Sequence, residues 1–251
     1  MPNTSTSIAI FIACGKSLVR RHHIKQQLES HCLLNSYLIK ATYPENLDPG
    51  LDHSNLTISL NEHCCALTHQ HIYESIINAN LPAAIVLEDD ASLGDNFNRL
   101  LPLLSEMSKD SDVILLGRSN LSAWVYRWST YLVPVRPLLK AEGFELGTPK
   151  KVTASGTVGY FITRRGAEQL WNLNADGSRL ADDWPHFALS LRLHEIRPLV
   201  VFEERAQLGS DIAATRSGAQ VAQRHILHRL AKIIKGLRDY LIFHFPSKNS
   251  A

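Results

Sequence analysis

Ala84-Ile85-Val86-Leu87-Glu88-Asp89-Asp90-Ala91 decides how this chain is read: a short apolar run stops at three consecutive carboxylates. Residues 83–87 are apolar at every position, where a strand with one wet face would alternate, so they predict a strand covered on both sides. In open α/β sheets, ligands gather outside the carboxyl ends of such strands. Adjacent anions repel one another, and a nearby cation offsets that cost. Carboxylate oxygens suit hard divalent ions such as Mg²⁺ and Mn²⁺. The plain alternative is an acidic turn that caps the next helix.

Upstream of the acids, residues 60–79 predict a helix, with Ser59 or Asn61 available as its cap. His63, His69 and His71 lie on it at a spacing that does not put all three on one face, and His69 is expected to face the sheet. Downstream, residues 96–107 suggest a helix, and Val113-Ile114-Leu115-Leu116 a second buried strand ending at Gly117. Helix, strand, acids, helix, strand is the alternation of a doubly wound α/β sheet.

Further out, residues 8–13 read as a first strand, followed by Cys14-Gly15-Lys16-Ser17 and a polar helix over 18–30. Gly15-Lys16-Ser17 has the end of a phosphate-binding loop, but the earlier glycine that motif requires would fall at Ile10. Arg20 and Arg21 suit either an approaching phosphate or a solvated helix face. Residues 37–41 resemble a short strand, and 43–55, with two prolines and a glycine, a loop. From 121 to 152 the pattern breaks down, with Trp124, Tyr126, Trp128 and Tyr131 set among prolines; they fit core under a long loop, or a platform on which sugar rings stack. Residues 155–163 form a glycine-punctuated strand turned by Arg164-Arg165-Gly166 into a helix over 167–173. Small residues at Ser155 and Gly156 let a ligand approach the backbone closely. A second acidic pair, Asp182-Asp183, precedes Trp184-Pro185 in a predicted loop, where helix capping is the simple alternative. Residues 199–203 read as a last strand, and the polar loop after it holds Ser210-Asp211.

With 251 residues, 45% hydrophobic and 20% charged, the chain is long enough for one large domain, expected over 1–215, with an appendage over 216–251. The first seven residues lack a basic-then-apolar signal pattern and no apolar run reaches spanning length, which leads to the expectation of a cytoplasmic protein. Cys14, Cys32, Cys64 and Cys65 show no CxxC spacing, so the sequence suggests reduced thiols rather than a zinc site or a disulfide framework. The net charge of +2 hides an asymmetry: residues 216–251 carry seven Lys/Arg and one acid, a net +6 against −4 for the rest. From Val221 onward Ile226, Leu227, Leu230, Ile233, Ile234, Leu237 and Leu241 fall on one helical arc and Arg224, Arg229, Lys232, Lys235 and Arg238 on the other. That pattern suits either a helix lying in an anionic membrane surface or one packed on the body.

Several of these segments together resemble glycosyltransferase family 25, whose members extend bacterial lipooligosaccharide and lipopolysaccharide. Cys64-Cys65-Ala66-Leu67-Thr68-His69 is similar to the family's Gly-Cys-Ala-Leu-Ser-His, and residues 85–91 to its Ile-Leu-Glu-Asp-Asp-Val. Residues 155–171 resemble its small-residue strand, basic turn and Gly-Ala-x-x-Leu helix, with Asp182-Asp183 near the place of its later acid. Two departures are Cys64 in place of Gly, and a first loop without the family's Asn-Leu. The resemblance implies a GT-A-like, Rossmann-type fold, a UDP-sugar donor (typically UDP-galactose), Mn²⁺ or Mg²⁺, and inversion at the anomeric carbon. It implies a lipid-linked or free oligosaccharide acceptor and no nucleic acid, and the basic tail adds the expectation of a peripheral place on the cytoplasmic membrane face. On this reading Glu88, Asp89, Asp90, Ser155, Gly156 and Arg21 bind the donor, and Asp90, Glu88 and Asp211 hold the metal. The base is Asp182 or Asp183, with Asp183 favoured because Trp184 beside it would exclude water. Two other classes compete: a P-loop-like phosphotransferase using Lys16 and Ser17, and a non-catalytic membrane-surface binding protein.

Overall fold

The computed structural model describes residues 8–48, 56–118, 135–149, 152 and 156–204. Its frame is an eight-stranded sheet built from β1 (Ala9–Cys14), β2 (Ser36–Lys40), β3 (Ala83–Glu88), β5 (Val113–Leu115), β6 (Val135–Ala141), β7 (Phe144–Pro149), β8 (Gly159–Thr163) and β9 (Leu193–Arg197). The spatial order is β2-β1-β3-β8-β5-β9-β7-β6. β1 is parallel to β2 and β3, and β5 is parallel to β9, while β8 runs antiparallel between β3 and β5. Two short strands, β4 (Ala91–Leu93) and β10 (Val201–Glu203), form a separate antiparallel pair. This is the α/β class expected, with antiparallel strands inserted into a sheet that is otherwise parallel.

The continuous apolar runs are explained by cover on both faces. Ile85 and Leu87 of β3 pack with Ile24, Leu28, Phe97, Leu100 and Leu104. Ala84 and Val86, pointing the other way, pack with Ile72, Tyr73 and Ile76 of α2 (Leu60–Asn78) and with Leu170 and Trp184. Each fully buried aliphatic chain stabilises the fold by roughly 1.5–3 kcal/mol, so both layers hold β3 in place. Local signals set the helix starts. Ser17 accepts the Arg20 N–H at the head of α1 (Leu18–Ser30), and Ser59 forms a capping box with Glu62 on α2. Asn61, the other candidate cap, lies inside the helix.

Several expectations are corrected. The helix over 96–107 is broken into Phe97–Leu100, a 3-10 turn at Leu101–Leu103 and Leu104–Met107, because Pro102 has no N–H to continue the α ladder. The acidic triplet caps no helix; β4 follows it directly. The region read as patternless contains the β6–β7 hairpin, and β9 was missed. The helix after β8 starts at Arg164, three residues early, capped by the Thr163 hydroxyl. Ser155, Asp211, the cluster Trp124 to Tyr131 and the tail helix from Val221 lie outside the described residues. Among the described residues no helix is long and apolar enough to cross a membrane.

The chain leaves β1 for β2 on one side and β3 lies on the other, so the loops after β1 and β3 part at a topological switch point. β10 crosses this edge closely. A Cβ on Gly117 would sit 2.4 Å from the Val201 carbonyl oxygen, and one on Gly159 2.7 Å from the Val201 side chain. Only glycine admits that approach, which carries Glu203 to Ala91, next to the acids.

Candidate active site

The loop after β1 is tied to the acidic turn. The Gly15 N–H donates to Asp89 Oδ2 at 2.7 Å, and Arg20 reaches Asp89 at 3.1 Å and Asp90 at 3.3 Å. Asp89 therefore spends both oxygens on the protein and fixes the loop, a different position from the donor contact expected of it. Arg21 is exposed at the rim, where its Nε donates to the Gly15 carbonyl at 2.8 Å. The residues of the phosphate-loop reading are engaged elsewhere: the Lys16 ammonium pairs with Glu45 over the Tyr43 ring, the Lys16 N–H donates to Tyr43 Oη, and Ser17 caps α1. With the Gly15 amide also bound to a carboxylate, this loop is not a phosphate cradle, and the phosphotransferase reading fails on geometry.

Four carboxylates gather beyond that tie. Burial pushes the Glu88 carboxyl up to about 8, and Asp90, Glu203 and Asp182 add to the rise; the Thr157 hydroxyl, which donates to Glu88, opposes it. Burial also pushes Asp90 up to about 6, against the pull of Arg20 and with help from Glu203 and Asp89. Asp90 Oδ1 is buried and accepts no hydrogen bond from any described residue. Pairing of β10 with β4 delivers Glu203, and the Glu204 N–H donates to the Asp90 carbonyl at 2.9 Å.

Asp182 comes to the same place through Gly156. The Gly156 N–H donates to Asp182 Oδ2 at 2.6 Å, and Trp184 Nε1–H donates to the Gly156 carbonyl at 3.1 Å. Gly156 has φ +89°, a left-handed conformation that a side chain would strain, so the turn that presents its N–H depends on glycine. Asp183 takes a different position. Its carboxylate meets Arg179 at 3.5 Å, and its side chain is 30% exposed at the start of the short helix Trp184–Phe187. Trp184 is buried edge-on against Tyr160 and Phe187, so it screens Gly156 rather than Asp183 as expected. The structure thus brings Asp182 to the acidic edge and leaves Asp183 beside it.

α2 supplies the other wall. His69 faces the sheet as expected, its Nδ1 2.8 Å from Tyr160 Oη, which lies 3.0 Å from Tyr73 Oη. Burial lowers His69 to about 4 and so keeps it neutral. His63 instead meets the Gly177 carbonyl, and His71 is exposed. Burial, with Glu88 and Asp182 nearby, raises the Cys65 thiol well above its ordinary range. Cys65, Thr157 and Glu203 were not singled out from the sequence as site residues, and Arg20 only as a phosphate contact. Of these, Cys65, four residues before His69 on one helix face, carried a signal that could have found its role.

The chemistry of the carboxylates is compatible with a divalent cation: their donors are hard oxygens, one of them buried without a partner among the described residues, and neighbouring charges raise the proton affinity of Glu88 and Asp90 where a cation would lower it.

The chain matches the model of glycosyltransferase family 25, described as an LPS biosynthesis protein, over residues 9–184. It is similar to the inactive glycosyltransferase 25 family member 3 of Mus musculus, 36% identical over 95 residues that make up 36% of this chain and 16% of the relative. A Bos taurus relative, named as a probable inactive member 3, is 32% identical over 96 residues covering the same shares. The chain thus spans 16% of the length of the curated relatives it matches. Among solved structures it is similar to mannose-1-phosphate geranyltransferase from Thermus thermophilus, with TM-score 0.41 and 13% sequence identity, over 75% of this chain and 73% of that one. The family match covers the first strand, the acidic turn, the glycine turn and Asp182, so the chain belongs to glycosyltransferase family 25.

Proposed function

We propose that the protein is an inverting glycosyltransferase that moves a hexose, galactose first among the candidates, from a UDP-sugar to an oligosaccharide acceptor of the lipooligosaccharide or lipopolysaccharide type. One observation carries the reading: Asp90, Glu203 and Asp182 lie near enough to Glu88 at the carboxyl edge of the sheet to raise its proton affinity, and Asp90 keeps one buried oxygen that no described residue partners. The hard step in such a transfer is departure of the nucleoside diphosphate. A divalent cation, Mn²⁺ or Mg²⁺, would supply charge that stabilises the leaving diphosphate.

Asp90 offers its free oxygen to that cation, and Glu88 stands beside it. Arg20 holds Asp89 and Asp90 in register, and Asp89 anchors the loop whose rim carries Arg21 toward the donor phosphates. Inversion needs a base on the side of the sugar opposite the leaving group. Asp182 takes that role in this reading, oriented by the Gly156 N–H, and Asp183 is the alternate. The basic segment over 216–251 holds the protein to the anionic cytoplasmic face of the membrane, each Lys/Arg near the surface contributing about 1 kcal/mol.

A second reading, a non-catalytic family member, is favoured by the Arg20 guanidinium that already bridges two of the acids and by the names of the two relatives. One experiment separates them: incubate the protein with a panel of UDP-sugars and Mn²⁺ and measure UDP release with and without lipooligosaccharide acceptor. Acceptor-dependent release that chelator abolishes supports transfer. Absence of release with every donor removes it.

A further inference from the structure

Three residues on the α2 side of the edge form a set of a different character. Cys65 and His69 are four apart on α2 and so share one helix face, and Glu88 ends β3 opposite them. One ligand atom from each lies within 4.8 Å of the other two. Around a tetrahedral Zn²⁺ with bonds of about 2.0–2.3 Å, ligand atoms stand roughly 3.3–3.8 Å apart, so side-chain rotation of about 1 Å closes the site. His69 Nε2 is buried and has no hydrogen-bond partner among the described residues, although the residue is only 1% exposed. Its other nitrogen is already held by Tyr160 Oη, which in turn meets Tyr73 Oη. A hydrogen bond of that kind fixes the tautomer of a ligating imidazole and leaves Nε2 free to coordinate.

We propose that Cys65 Sγ, His69 Nε2 and a Glu88 oxygen bind a zinc ion, in a thiolate site that shares Glu88 with the acids at Asp90. A thiolate and an imidazole select a softer cation than Mg²⁺ or Mn²⁺. Three protein ligands leave a fourth position for water or substrate, the coordination of catalytic rather than structural zinc. Binding releases the Cys65 thiol proton to solvent as the Zn–S bond forms, and ties the middle of α2 to the end of β3. Because Glu88 belongs to both sets, this ion would also decide which way that carboxylate turns. The inference does not depend on sugar transfer.

The test uses the full chain, purified metal-free under reducing conditions, with Co²⁺ as the spectroscopic stand-in for Zn²⁺. Stoichiometric Co²⁺ binding with a thiolate-to-cobalt charge-transfer band, displaced by Zn²⁺, is the expected result. Cys65→Ser abolishes the band, while Cys64→Ser and Asp90→Asn keep it. Tyr160→Phe, which removes the hydroxyl that holds His69 Nδ1 and meets Tyr73 Oη, weakens Zn²⁺ binding about 10–100-fold. If Cys65→Ser does not fold, alkylation of the wild-type protein decides: Zn²⁺ protects Cys65 and leaves exposed Cys32 reactive. A folded protein that shows no band, a band that survives Cys65→Ser, or no protection of Cys65 overturns the site.

Discussion

The acidic edge and the far side of the sheet treat buried carboxylates in opposite ways. Glu195, in the middle of β9, is 2% exposed and is met by Arg118 on one oxygen and Arg197 at 3.0 Å on the other. Asp112, just before β5, is fully buried and receives Arg192 at 3.0 Å, Arg165 at 3.3 Å and the Arg192 N–H. At the carboxyl edge of β3, by contrast, Arg20 is the guanidinium that meets Asp89 and Asp90, with Glu88, Asp182 and Glu203 around them. A buried charge is tolerated when paired, and a group left with like charges shifts its proton affinity instead. The first region serves the fold, and in the second the proton affinities of Glu88 and Asp90 are raised.

The largest expected effect breaks that comparison on the functional side. Asp90→Asn removes the negative charge offered to the cation, and losing such charge stabilisation costs several kcal/mol of barrier, a rate loss on the order of 10³-fold or more. Turnover of a UDP-sugar measured with saturating Mn²⁺ checks this, and an Asp90→Asn protein as fast as wild type would show that this charge is idle. Next comes the base. Asp182→Asn lowers turnover ~10²–10⁴-fold while UDP and metal still bind, whereas Asp183→Asn, which loses a partly exposed pair with Arg179, has a small effect. Reversal of the two results transfers the role to Asp183, and two active variants place the base outside this pair.

Stability sharpens the same contrast. Glu195→Gln takes the negative charge from between Arg118 and Arg197, both largely buried, and lowers unfolding free energy by about 3–5 kcal/mol. Asp90→Asn, tested without metal, leaves stability unchanged or raises it, because a repelling charge is gone. Urea unfolding of both variants in chelator decides, and equal losses would erase the difference between the regions. The smallest effect concerns His194, next to Glu195. Burial and then Arg192 hold its pKa below the ordinary 6.5, against Asp112 and Asp110, and Ser111 Oγ lies 2.8 Å from its Nδ1. A depressed histidine keeps its contribution above pH 6.5. Below that the unfolded chain takes up the proton first, so stability falls as pH drops from 6.5 through the folded pKa. The pH dependence of unfolding in His194→Gln should be flatter than wild type in that window; identical slopes would remove His194 as the cause.

How much could be read in advance followed from whether burial was apolar or polar. β3 and β5 were legible because strands covered on both faces must be apolar throughout. The acidic turn was legible because carboxylates at the end of such a strand have few structural uses. β9 was not: Leu193-His194-Glu195-Ile196-Arg197 looks half-exposed, yet four of its residues are buried because Ser111, Arg118 and Arg197 satisfy the polar ones. The β6–β7 hairpin was hidden by Pro137, which lies next to an irregularity in the pairing on the outermost strand, where a missing N–H is tolerated.

By itself, then, the sequence determined the α/β class, both cover helices of the acidic strand and the acids at its end. These are local in origin, set by periodicity, caps and runs of residues that neighbours in the chain complete. Only the tertiary structure decided which acids share a site. It joined Glu203 to Ala91, next to Asp90, through strand pairing across 112 residues, turned Asp182 inward through the Gly156 backbone, and sent Asp89 to the first loop. It also set Cys65 and His69 facing Glu88. Such contacts depend on where distant segments meet in space, and side-chain chemistry along one chain does not record that.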